Sequence, residues 1–433
     1  MTRALLICLL ATGLHAAELF VSPTGKDDAR GAKDTPFATL TRALQAAAEK
    51  DTITLRAGAY AGGQTVSKPG ITIQSHAGEW ATLKAPHDGA NERPQVCLWV
   101  TADNCSIKRL EIQGGYYYAL KFELGVKGSL AEDCKIHGSG RDCVKIAGAD
   151  NITLRRCEIF NSGLRDSGNA EGIDNVGGDC MLVQDCHIHD IATCGVYPKG
   201  GSIGSIIERC FITRCGQAGI SMAQSSGLQF YDTKVNPEYY SCRDCIARNN
   251  IIVDIKGSGI DLEAALRPRV FNNTLVSVAQ TMRGGIRIAA NNKGGKAGLV
   301  RVKDAEIRNN IIVISTESNR PAMFMAKDSH EGKLAMSNNR YHKEGGKPRF
   351  WWEPTDAYNL DFAAWARLSG EENSSEVDPG LEETWHLTKA SPCIGAGVAI
   401  KDFSDDYDGN KRKGKWDIGA DQASGPVKSA SGR

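Results

Sequence analysis

Short apolar–polar alternations recur through the middle of the chain, separated by Gly, Asn and Asp. A period of two is a strand signal, not a helix signal. Cut after each polar turn, the segments EDCKI, RRCEI, QDCHI, ERCFI, RNNII, FNNTL, RNNII and SNNRY fall into one register. That register stacks Cys134, Cys157, Cys186, Cys210, Asn250, Asn273, Asn310 and Asn339, at spacings of 23, 29, 24, 40, 23, 37 and 29 residues. Self-similarity at periods on the order of 20–50 residues marks a solenoid. Each repeat is too short for two helices, so the pattern predicts an all-β fold. It is a single-stranded right-handed parallel β-helix, one coil per repeat, with coils ~4.8 Å apart. The stacked cysteines and asparagines then point inward as a ladder. Asn bonds its copies above and below, and Cys fills the same slot as a small apolar residue.

Two stretches depart from the period of two. In DTPFATLTRALQAAAEKDTITL, Phe37, Leu40, Ala43, Leu44 and Ala47 recur at helical spacing, which predicts an amphipathic helix covering the first coil. LDFAAWARLSGEENSS carries a second short helical pattern inside a loop-rich carboxyl-terminal cap. The first residues, MTRALLICLLATGLHAAELF, have one Arg and an apolar run from Ala4 to Leu14, as a secretory signal peptide does. The expected division is a signal peptide at 1–17, an amino-terminal cap at 18–50, the β-helix at 51–345, a cap at 346–422 and a disordered tail at 423–433. The mature protein is expected to be secreted and monomeric, and not to bind a membrane once the signal is cut.

Composition narrows the function. A net charge of +1 over 433 residues supplies no global field for nucleic acid. Cysteine is abundant at 14, but the only CxxC is CRDC at Cys242 and Cys245, which is weak evidence for a metal or redox role. The ladder makes core packing the preferred reading over disulfides, because parallel side-chain vectors suit bridging poorly. His187 and His189 in CHIHD alternate onto one face, and with no third ligand nearby in sequence they read as a surface pair.

The strands that close each coil carry the candidate chemistry. Aligning ALKFE, CVKIA, GIDNV, GVYPK, GISMA, GIDLE and GIRIA gives an outward column of Lys121, Lys145, Asp174, Tyr197, Ser221, Asp261 and Arg287. Two residues on, a parallel column holds Glu123, Lys199 and Glu263. Such a strip suits an extended polymer, with Tyr197 offered for stacking on a sugar and Lys145, Arg287, Asp261 and Glu263 as further substrate contacts. Glu171, Asp174 and Asp179 lie within nine residues, and Asp142 aligns with Glu171 one coil earlier. Acidic groups from adjacent coils suit a hard cation such as Ca²⁺, with Glu171, Asp174 and Asp179 as its expected ligands. Lys199 falls one coil along, where a cation and partial burial favour a lysine's neutral, basic form. Gly200 and Gly201 after it are expected to leave room for substrate.

LFVSPTGKDD, PFATLTRALQAA, DTITLRAGAY, AAWARLSGEENSSEVDPG, SPCIGAG and WDIGADQ resemble the beginnings and endings of secreted bacterial proteins of the pectate-lyase-like β-helix superfamily. Within it, an acidic cluster preceding a lysine on a later coil is similar to the calcium-dependent pectate lyases of polysaccharide lyase family nine. That resemblance implies β-elimination on an acidic, uronic-acid-containing polysaccharide. Lys199 is the expected base, and Glu171 with Asp174 complete the catalytic set. Two alternatives stand beside it. One is an inverting glycoside hydrolase using Asp174 with Asp179, or Asp261 with Glu263. The other is a non-catalytic carbohydrate-binding solenoid using the insertion AQSSGLQFYDTKVNPEYYSC.

Overall fold

The computed structural model describes residues 16–222 and 226–423. The expected signal peptide and the tail from residue 424 lie outside the described residues, apart from Ala16 and Ala17. Three long sheets run the length of the molecule, and almost every neighbouring pair within them is parallel. One coil contributes one strand to each. Leu130–Glu132, Lys135–His137 and Val144–Ala147 form one coil. The next three strands, Thr153–Arg155, Glu158–Phe160 and Ile173–Val176, each pair in register with their predecessors. The parallel β-helix expected from the repeat is therefore the fold. The coil stack continues to Phe350–Trp352 and Ser375–Glu376, past residue 345.

The corner between the first strand of a coil and the second is a two-residue turn. Its first residue has positive φ in all eight ladder repeats: Asp133 (56°), Arg156 (50°), Asp185 (56°), Arg209 (52°), Asn249 (53°), Asn272 (52°), Asn309 (59°) and Asn338 (55°). Asp and Asn tolerate this left-handed region because their short side chains bond locally. The second residue is the ladder residue. Asn250 Nδ2 donates to Asn273 Oδ1 (2.9 Å), Asn273 Nδ2 to Asn310 Oδ1 (3.0 Å), and Asn310 Nδ2 to Asn339 Oδ1 (3.1 Å). Each Oδ1 also accepts the backbone N–H of the preceding coil's ladder residue, beginning with Cys210 to Asn250 at 3.0 Å. The thirteen described cysteines are free thiols; all are buried except Cys180. Asn273→Ala is expected to lower stability by about 2–4 kcal/mol, since it orphans the Asn250 N–H and several side-chain groups in a dry corner. Cys157→Ala should cost less, and urea midpoints of the two variants give the comparison.

Both predicted helices are present. Helix α1 (Leu40–Ala46) is capped by Thr39, whose hydroxyl accepts from Arg42 N–H, and it buries Leu40 and Ala43 over the first coil. Helix α2 (Phe362–Ser369) starts at Asp361 and ends at Gly370 with φ 69°, burying Trp365 against Phe350 and Trp352. Both ends of the stack are thus covered, which removes the open sheet edge. No described helix is long and apolar enough to cross a membrane.

Candidate functional site

The outward column read from the sequence exists as a ladder on one sheet. Trp99 pairs with Lys121, Lys121 with Lys145, Lys145 with Asp174 and Asp174 with Tyr197. Farther along, Ser221 pairs with Asp261, and Asp261 with Arg287. Lys199 ends the strand Cys194–Lys199 and lies opposite Val176, two positions after Asp174. Long side chains therefore converge diagonally across adjacent coils.

Asp142, Glu171 and Asp174 each present a carboxylate oxygen within 4.8 Å of the other two, and all three are buried. Glu171 N–H donates to Asp142 Oδ1 (3.1 Å), which ties together the loops before two successive strands. Lys145 donates to Asp174 Oδ2 and lies 3.6 Å from Asp142 Oδ2. Lys199 Nζ stands 3.2 Å from Asp174 Oδ1 and 4.0 Å from the centre of the Tyr197 ring. Burial would raise the Asp174 pKa, but the two ammonium groups outweigh it and hold it below the ordinary value. Asp142 goes the other way, pushed well up by burial and by the charges of Asp174 and Glu171. Lys145 is raised, since Asp174 and Asp142 overcome its own desolvation.

Three carboxyl groups and two ammonium groups meet in this enclosed site. Glu171 Oε2 is buried with no hydrogen-bond partner. Hard oxygen donors and an orphaned carboxylate oxygen fit a calcium-type cation, with Lys145 as the competing positive charge. The fitting set is Asp142, Glu171 and Asp174.

Several expected contacts are placed differently. Asp179 is not in the cluster. The chain turns a corner at Gly177 (φ 72°), and Asp179 instead accepts from Ile203 N–H (2.9 Å) while its own N–H donates to Asp150 (3.0 Å). Tyr197 is not a sugar platform, because it is only 5% exposed and packs with Cys194 and Ala218 beneath Lys199. Gly200 and Gly201 do not leave open space. They take φ of 68° and 90°, and a Cβ there would meet the insertion at Phe230 (3.4 Å) and at Asn236 and Tyr231 (3.2 and 3.4 Å). Lys145 serves the acidic cluster instead of reaching outward. Arg287 is bound to Asp261 (2.6 and 3.0 Å) and to Glu263, and Arg283 adds a second guanidinium on Asp261 at 2.6 Å. Asp261, fully buried and doubly paired, is therefore poorly placed as a hydrolase acid or base. In the insertion, Tyr231 and Tyr240 are buried and Phe230 is 51% exposed.

Asp142 was visible as an alignment with Glu171, but it was not among the expected ligands. Tyr118, whose ring lies 5.7 Å from Lys145 Nζ, stands in the same column as Asp142 and Glu171 and was passed over, whereas Arg283 precedes its strand and had no repeat position to reveal it.

Stacked coils with one charged, partly enclosed column define a class of protein, the single-chain β-helix with its chemistry on one sheet face. The chain belongs to the right-handed β-helix family, whose model, "Right handed beta helix region", matches residues 96–239 and 131–312. A second model, "Protein of unknown function (DUF1565)", matches residues 23–74. No curated protein matches the chain. Among solved structures it is similar to pectate lyase Pel9A, with a TM-score of 0.57 and 14% identity over 95% of this chain and 97% of that one. A rhamnogalacturonan lyase follows, with a TM-score of 0.54 and 15% identity over 75% and 87%. The A-module of mannuronan C-5 epimerase AlgE6 from Azotobacter vinelandii gives 0.55 and 12% over 84% and 89%. Identities this low establish the fold and leave the activity to the site.

Proposed function

We propose that this protein is a secreted polysaccharide lyase that cleaves a uronic-acid-containing polymer by β-elimination, with Lys199 as the base. The observation that carries the reading is the placement of Lys199 Nζ 3.2 Å from Asp174, in a cluster with Asp142 and Glu171 built from three successive coils. Two lyases among the similar folds add an analogy at the level of architecture.

In this reading the neutral Lys199 amine takes the proton at C5 of a uronate. The C–H electron pair becomes the C4=C5 double bond, the C4–O bond breaks, and solvent protonates the departing oxygen. Lys199 must leave its ion pair with Asp174 to act, and Lys145 remains to hold that carboxylate. A calcium ion held by Asp142, Glu171 and Asp174 would supply positive charge for the substrate carboxylate when bound. The side chain of Lys199 is 12% exposed, at the end of the strand Cys194–Lys199 on the face across which the polymer would lie.

Incubation with pectate, alginate and glycosaminoglycans, with and without chelator, tests the proposal through the ultraviolet absorbance of unsaturated ends. An acidic polymer should give absorbance that chelator reduces and calcium restores. New reducing ends without absorbance would make the protein a hydrolase. Retention of polymer with neither product would make it a binding solenoid.

A further inference from the structure

We propose that Glu158, His187 and His189, on a different sheet from the acidic cluster, form a binding site for one zinc-class divalent metal ion. His187 and His189 alternate along the strand His187–Ile191, with Ile188 between them buried inward, so both rings project from the same face. The third ligand comes from the preceding coil: Glu158 pairs in register with His187. One donor atom from each residue lies within 4.8 Å of the other two. Tetrahedral zinc, with bonds of ~2.0–2.1 Å, places its donors roughly 3.3–3.5 Å apart, so closure needs movements on the order of one ångström.

Three independent features point to an ion. First, both ring nitrogens of His187 are enclosed and have no hydrogen-bond partner. A neutral imidazole carries one donor and one acceptor, and enclosed polar atoms are normally satisfied. Ring stacking explains where the rings sit, through contacts such as His137–Phe160 (4.3 Å), Phe160–His189 (4.9 Å) and His187–Phe211 (5.2 Å). It does not explain the bare nitrogens of His187.

Second, His189 is already oriented as a ligand. Its Nδ1 lies 2.7 Å from Asp190 Oδ2 and 3.2 Å from Arg214 Nη2, which hold the ring in place from that side. Arg214 fixes Asp190 with contacts of 2.6 and 2.8 Å. Nε2 faces away from Asp190, toward Glu158 Oε1 at 3.4 Å. Carboxylate, histidine and metal in line is the usual outer-shell arrangement of zinc ligands.

Third, Glu158 divides its duties. Oε2 lies 3.4 Å from Lys135 Nζ, leaving Oε1 to the histidines. Glu158 and His187 also line a groove of about 930 Å³ between this sheet and residues 405–409 of the carboxyl-terminal cap. Two histidines, one carboxylate and an open side make a donor set with a free coordination position, and the imidazoles favour zinc over calcium.

Calorimetric titration of metal-free, full-length protein with ZnCl₂ tests this. The expected result is one zinc per chain, with a dissociation constant of about 10 μM or tighter, near −7 kcal/mol. Co²⁺ should give visible d–d bands without the near-ultraviolet thiolate charge-transfer band that cysteine ligation would produce. His187→Phe keeps the ring stack but removes both nitrogens and should abolish stoichiometric binding. Asp190→Asn loosens the hold on His189 and the ion pair with Arg214 but leaves all three proposed ligands in place, and it should weaken binding by about 10–100-fold. Thermal unfolding in chelator verifies that each variant is folded; should His187→Phe fail to fold, Asp190→Asn decides. Undiminished binding in the folded variants, a thiolate band, or no binding at about 100 μM zinc would overturn the proposal.

Discussion

Lys199→Ala is expected to lower kcat/KM for formation of unsaturated product by about 10²–10⁴-fold, the range a positioned general base contributes. In the proposed elimination the loss falls on kcat, since there the amine would meet the reacting proton and not the polymer's flanking sugars. Alanine also removes one of the two cations on Asp174, so charge and basicity must be separated. Lys199→Arg does this. A guanidinium keeps the positive charge near Asp174 and the Tyr197 ring, but it does not deprotonate in proteins. It should be as inactive as Lys199→Ala while unfolding close to the wild-type denaturant midpoint. Arginine retaining activity within about 10-fold would reassign position 199 from base to charge. Both variants are read by initial ultraviolet rates at saturating and limiting polymer, with stability measured in parallel.

The site was legible in part because a parallel, in-register solenoid turns sequence alignment into spatial adjacency. Placing GIDNV above CVKIA and below GVYPK amounts to stating the pairing Lys145–Asp174–Tyr197, and that pairing is present. The coil corners obey the same logic, so the Cys-to-Asn ladder could be read from its spacing alone. What the alignment could not supply was anything aperiodic. Asp179 lies close to Asp174 in sequence, but Gly177 and Gly178 turn the chain onto another face between them. Alternation marks Tyr197 and Asp261 as outward and does not say what covers them. Side-chain packing decides that, through Cys194 and Ala218 against Tyr197 and through Arg283 and Arg287 on Asp261, and it leaves Tyr197 at 5% and Asp261 at 0% exposure. The insertion that packs onto Gly200 and Gly201 likewise has no counterpart in neighbouring coils. Glu158 is a different case: its register with His187 follows from RRCEI above QDCHI. The carboxylate was hidden because the two histidines were judged along one strand and not across two.

Asp174→Ala should be the most destabilising single change at this site, by about 3–5 kcal/mol, because it strands two cations beside a protein interior. Lys145, with only 16% of its side chain exposed, would keep Asp142 at 3.6 Å as its nearest carboxylate. Lys199 would lose the carboxylate with which it is ion-paired. Replacing Asp174 by Leu and Lys145 by Met together should recover much of the loss, since an apolar pair of similar volume removes both buried charges. Metal-free protein in chelator should also show the two carboxylates acting in opposite senses with pH. Asp174 has a folded pKa below its unfolded value of ~3.9, so its contribution is complete above that value and is lost as pH falls toward the folded one. Asp142 has a folded pKa well above its unfolded value, so the folded state binds the extra proton. Its effect is a stability that declines as pH rises from ~4 through the raised folded value. Asp142→Asn should therefore flatten the alkaline side of the stability profile and match or exceed the wild type at neutral pH, whereas Asp174→Asn should lower it there. Urea denaturation across the pH range measures both. Equal losses from the two asparagine variants at neutral pH would mean that both carboxylates are ionised and paired in the folded chain, and the charge arrangement assigned to this cluster would have to be redrawn.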